Sequence, residues 1–136
     1  MSEDTDGIRA RYIDPTEEQG RLLFTSGIEG PVTMLNLLRF RAVADYSAHP
    51  DLAPSTPISG KWAYQLYADH TMPYLAAVGG SVTLAGDARP FLIGPTAQRW
   101  DLVLLVTHTG LGAFLSMATD AGYLSGIGHR EAALED

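Results

Sequence analysis

The chain has 136 residues, 46% of them apolar, and a formal charge of −7 from 16 acidic against nine basic side chains, with no cysteine. That length suits one domain with a real core, and the apolar fraction excludes an intrinsically disordered chain. The missing cysteine excludes a disulfide scaffold, a thiolate zinc site and a cysteine nucleophile, and the acidic balance argues against a nucleic-acid partner.

The acidity is uneven. Residues 1–30 carry seven acids against three bases, and residues 130–136 carry three against one. The middle, 31–129, is almost neutral, with six acids against five bases. The opening Met1–Gly7 is acidic where a signal peptide needs positive charge before an apolar run. The longest aliphatic run, Leu102 to Val106, is too short to span a bilayer. With no lipidation motif or polybasic patch, a soluble cytoplasmic protein is expected, with no membrane contact.

In chain order, residues 1–13 read as a lead-in. Asp14-Pro15-Thr16-Glu17 then starts a helix, with Asp14 as cap and Gly27 as its end. After Pro31, residues 32–40 predict a strand. Val32, Met34, Asn36, Leu38 and Phe40 lie on one face, and Thr33, Leu35, Leu37 and Arg39 on the other. Both faces are mostly apolar, so both should be covered. Residues 42–60 read as a long loop.

A helix is expected from Lys61 to Val78, with Ala63, Leu66, Tyr67, His70, Tyr74, Ala77 and Val78 on one stripe and Tyr64 at its margin. Pro73 is expected to kink it, and Gly79-Gly80 to stop it. Ser81 to Ala85 alternates as a strand, Gly86-Asp87 reads as a turn or bulge, and Phe91 to Ile93 resumes extended structure. Asp101 to His108 is a second apolar strand. Helices follow from Gly110 to Thr119, capped by Thr109, and from Asp120 toward Leu134. This places an N-terminal extension with a capped helix at 1–30 before an α+β domain at 31–136. The order βαββα lacks the last strand of a βαββαβ domain, because 132–136 is short and acidic.

Five stretches taken together resemble the domain of unknown function 1330 family, within the dimeric α/β-barrel superfamily. They are PVTMLNLLRFR at 31–41, AYQLY at 63–67, Gly79-Gly80, IGP…WDLVLLV at 93–106, and AFLSMATDAGYL…HREAALED to the end. The resemblance implies a ferredoxin-like fold whose sheet packs on a partner's sheet in a homodimer. That would account for a strand apolar on both faces. It implies no established biochemical role. Superfamily relatives include cofactor-independent monooxygenases, haem-degrading enzymes and small isomerases.

Several side chains are candidates for chemistry. Asn36 sits among apolar strand residues and must find partners. It reads either as a structural amide or as one that orients a ligand, and the haem-degrading and monooxygenase relatives carry a similar Asn on their first strand. Arg39 either pairs with an acid or grips a carboxylate or enolate oxygen. Tyr64, Tyr67, His70 and Tyr74 read either as amphipathic core filling or as a pocket between helix and sheet, with His70 as acid or base. His108 closes its strand and either simply ends it or lines the same pocket. There is no G-x-S-x-G elbow, no P-loop and no complete dinucleotide fingerprint. The four histidines lack zinc-helix spacing, so neither a metal nor a cofactor is called for.

Two functions follow. One is a cofactor-independent enzyme, of oxygenase or isomerase type, acting on a hydrophobic, aromatic or anionic small molecule, with His70 and Asn36 catalytic and Arg39, Tyr64, Tyr67, Tyr74 and His108 binding substrate. The other is a non-catalytic homodimer that binds a small molecule or serves a structural role.

Overall fold

The structure, a computed structural model, describes residues 11–136. Residues 1–10 of the expected lead-in lie outside it. The first helix, α1 (Glu17–Phe24), starts two residues later than the Asp14 cap would put it. Thr16 is the cap, and it forms a reciprocal box with Gln19: the Gln19 amide donates to Thr16 Oγ1, and the Thr16 amide to Gln19 Oε1, each at 3.0 Å. Asp14 instead faces Arg130 at 3.7 Å. This helix has no buried residue and is held by ring contact between Phe24 and Phe114.

Strand β1 (Val32–Leu38) pairs antiparallel with β3 (Leu102–His108), and β2 (Ser81–Asp87) pairs antiparallel with the other edge of β3. The sheet order is therefore β1-β3-β2. β2 runs through Gly86-Asp87 rather than turning there, and a bulge between Val82 and Leu84 shifts its register. Phe91 to Ile93 does not return to the sheet. It sits in an irregular segment where Leu92 is 98% exposed.

Alternation sorts the sheet into two faces. Asn36 opposes Leu104 and Leu38 opposes Leu102, on the side packed against helices. Thr33, Leu35 and Leu37, with Val103 and Leu105 opposite, point the other way. Among the described residues no element covers that second face, and Leu35 is 62% exposed, Leu84 48% and Leu37 38%.

Helix α2 (Gly60–Ala77) runs unbroken through Pro73, with the Ser59 side chain accepting from the Trp62 amide at its start. Its buried positions are Gly60, Ala63, Tyr64, Thr71 and Leu75. The apolar stripe is thus rotated from the expected one: Tyr64 is central, while His70 and Tyr74 are only half-buried at its side. The reason is that α2 packs on two things at once, the sheet and the C-terminal helix. After β3 come α3 (Leu111–Ala118), capped by Gly110 rather than Thr109, then α4 (Ala121–Leu124) and α5 (Ile127–Ala133). Asp120 caps α4 by accepting from the Gly122 and Tyr123 amides. One core cluster joins Leu38, Ala63, Tyr64, Ala133 and Leu134, and another joins Leu75, Met117 and Tyr123.

The short acidic end does pair as a strand would. Leu134 bridges antiparallel to Phe40, the Arg39 amide donates to the Asp136 carbonyl at 2.9 Å, and the Glu135 amide to the Arg39 carbonyl at 2.8 Å. Arg11 donates from the other side to the carbonyls of Leu134 and Glu135. Three residues suffice because backbone bonds hold them and the buried Leu134 side chain anchors them in the core. Among the described residues, no helix is long and apolar enough to cross a membrane.

Candidate functional site

The chemistry-bearing residues picked out in the sequence do not meet in one cavity. His70 donates from Nε2 to the Gly122 carbonyl at 2.8 Å, and its ring lies against Tyr74. Gly126 makes this possible, because a methyl group there would run into the imidazole. His70 therefore fastens α2 to α4 and α5, away from the sheet. Tyr67 shares a hydroxyl–hydroxyl bond of 2.8 Å with Tyr123. Burial raises the Tyr123 pKa, and the Tyr67 hydroxyl adds to the shift.

Asn36 reaches only along its own strand, donating to the Met34 carbonyl at 3.3 Å. Arg39 pairs with Asp136 at 3.4 Å and Glu135 at 3.7 Å, and its guanidinium lies 5.6 Å from the Trp100 ring centre. His108 is 2% exposed and packed edge-on against Phe114, and among the described residues its Nδ1 has no partner. Burial lowers its pKa, so the ring is held neutral.

The 42–60 loop is tied down by the remaining histidines. His49 pairs with Glu131, and Tyr46 hydrogen-bonds His129 Nδ1 at 2.7 Å. The Asp45 amide donates to the Ala132 carbonyl and the Ala44 amide to that of Ile58. Burial and the neighbouring His70 lower the His129 pKa. Among the described residues, no three metal-ligating side chains gather.

A groove lies elsewhere, at the start of α2, where the ends of β1 and β2 and the beginning of β3 come together. It has a volume of about 590 Å³ and is half open. Phe40, Tyr64 and Leu102 form its apolar wall, with the Phe40 and Tyr64 rings 5.5 Å apart. Tyr64 is the one sequence candidate that lines it. Burial raises the Tyr64 pKa, so its hydroxyl keeps its proton. Arg41, Lys61 and Arg89 supply cations, and Asp87 and Asp101 supply acids. Asp101 is already engaged: it accepts from the Phe40 amide at 2.8 Å and from Arg99 at 2.7 Å.

Sequence reasoning left Arg41, Lys61 and Arg89 out of the site. A usable signal was present: Arg41 and Lys61 stand at the ends of predicted elements and Arg89 just after the turn that follows one, and antiparallel pairing brings those ends to one edge. What was missing was the pairing itself, which decides that Asp87 opposes Leu102 and that Leu102 opposes Leu38.

Sheet, helices and groove together define a small α+β domain with a three-stranded antiparallel sheet. No family model matches the chain, and no curated protein does. Two solved structures do. One, of the methylated RPA0582 protein, is 36% identical over 92% of this chain and 88% of that one, with a TM-score of 0.82. The other, of the RPA0582 protein of unknown function from Rhodopseudomonas palustris, is 35% identical over 93% and 92%, again with a TM-score of 0.82. The chain belongs to the family of the RPA0582 protein.

Proposed function

We propose that the chain is a homodimeric protein of the ferredoxin-like, dimeric α/β-barrel kind that binds a small molecule in the groove beside Tyr64. Kinship with the domain of unknown function 1330 family is part of that proposal and rests on the sequence stretches quoted above. The observation that carries the binding role is a contrast. His70, Asn36 and Arg39 each have a partner within the protein, whereas the groove presents an aromatic wall and cations without carboxylate partners. Oxygenase or isomerase chemistry through Asn36 and His70 loses its motive, because their polar atoms face the Met34 and Gly122 carbonyls instead of a common space. The uncovered apolar sheet face supports the homodimer.

Amide chemical shifts test the binding role. Small aromatic probes such as benzyl alcohol and indole should perturb residues 40–42, 59–65 and 87–89. Perturbations centred on His70, Tyr74 and Gly122, or none at all, would sink the reading.

A further inference from the structure

We propose that the groove at the start of α2 is an oxyanion site, taking a small organic acid whose carboxylate or phosphate meets Arg41, Lys61 and Arg89 while its apolar body lies along Phe40, Tyr64 and Leu102. This rests on the small-molecule reading of the same groove and names the class of its ligand.

Arg39, Arg99 and Arg130 each have a carboxylate within 4.0 Å. Among the described residues, Arg41, Lys61 and Arg89 have none, although Asp87 and Asp101 line the same groove. Within the groove Asp101 is neutralised by Arg99, which leaves Asp87 against three cations, while Asp45 faces Arg41 from beyond salt-bridge distance. Three like charges brought together with a smaller counter-charge incur repulsion that a bound anion relieves.

Arg41 is the best placed of the three. Its amide donates to the Ala133 carbonyl at 2.9 Å, and its carbonyl accepts from the Gly60 amide at 3.0 Å, so its backbone is fixed. Its Nε is shut off from solvent with no acceptor, and among the described residues its guanidinium makes no hydrogen bond. A guanidinium left with unmet donors on a rigid backbone suits bidentate capture of a planar carboxylate or a phosphate. Lys61 and Arg89 are exposed and act as point charges at the rim.

The wall sets the rest of the ligand. The Phe40 and Tyr64 rings make a tilted pair 5.5 Å between centres, and Leu102 continues the surface. Tyr64 stays protonated, so the wall adds no negative charge of its own. A flat apolar body would cover it.

The test titrates the full chain with benzoate, phenyl phosphate and benzyl alcohol, followed by calorimetry and amide shifts. Both anions should bind saturably at the groove, and benzyl alcohol at least about tenfold more weakly, the weight of one charge-assisted contact. R41Q, and separately the double variant K61Q/R89Q, should each weaken anion binding by about 5- to 30-fold. The double variant changes only exposed side chains, so it keeps the test open if R41Q fails to fold. Tighter benzoate assigns a carboxylate and tighter phenyl phosphate a phosphate monoester, and either supports the proposal. Equal affinity for benzyl alcohol and the anions overturns it while leaving a neutral small-molecule groove standing. Anion binding that both variants leave unchanged overturns it, and so does an absence of binding by every probe up to about 10 mM.

Discussion

Replacing Leu35 by lysine should break the proposed dimer while leaving the protomer folded. Leu35 stands in the middle of β1 on the uncovered face and is 62% exposed in the single chain, so the substitution removes little intramolecular packing. Full burial of a leucine is worth about 1.5–3 kcal/mol, so covering what Leu35 still exposes contributes about 1–2 kcal/mol. A twofold interface contains the residue twice, which makes about 2–4 kcal/mol, or a dissociation constant raised by about 30- to 700-fold. Burying an ammonium in its place adds to that loss. Sedimentation equilibrium and light scattering read the constant. L22K is the control, because Leu22 on α1 is equally exposed, at 61%, but lies outside the sheet. A monomeric wild-type chain, or equal effects of L35K and L22K, would refute the reasoning.

Other outcomes follow from the packing. In a double-mutant cycle, Tyr67→Phe and Tyr123→Phe should each cost about 1 kcal/mol, with the double variant costing little more than either single one, because one hydroxyl pair is lost in all three; urea midpoints check this. Gly60→Ala should cost about 3 kcal/mol or more, since the added methyl meets the backbone of Arg41 and Ala133 on several sides and neither can move; thermal melts should show it. Stability should fall as pH drops below the ordinary histidine value. His108 is protonated in the unfolded chain near pH 6.5 but resists protonation when folded, so the unfolded state binds the extra proton. The slope contributed is at most about 1.4 kcal/mol per pH unit, and it ends where the folded ring titrates as well. Urea midpoints between pH 7 and 5 should lose part of that slope in His108→Leu; an unchanged slope there would assign the effect to other groups, such as His129.

The elements with strong local signals were legible. The helix-start residues at 14–17 announced α1, although Thr16 rather than Asp14 caps it and Pro15 lies before the cap; period-3.6 spacing announced α2, and the aliphatic runs announced β1 and β3. What failed was whatever depended on a distant partner. Phe91 to Ile93 has strand composition but no neighbouring strand to pair with, and it lies between Pro90 and Gly94-Pro95. Leu134 to Asp136 has poor strand composition but finds Arg39 and Phe40 in both backbone and charge. The site failed for the same reason. A helical wheel places His70 and Tyr74 on the apolar stripe. It carries no information that α4 and α5 offer a carbonyl and a glycine-lined slot at just that height.

This divides α2 into two ends with different tasks. Toward its C-terminal half, side chains do the fastening: His70 to Gly122, Tyr67 to Tyr123, and Leu75 into the core with Met117. A side chain engaged in this way is poorly placed to greet a ligand. At its N-terminal end the backbone does the fastening, through the Gly60 amide on the Arg41 carbonyl and the Arg41 amide on the Ala133 carbonyl. There the glycine lets three backbone segments meet without side chains between them, and Arg41, Lys61 and Tyr64 line the groove beside them. The proposed ligand site therefore lies at the end of α2 where the backbone carries the packing, and His70, the reactive residue the helical wheel points to, stands at the end where side chains carry it.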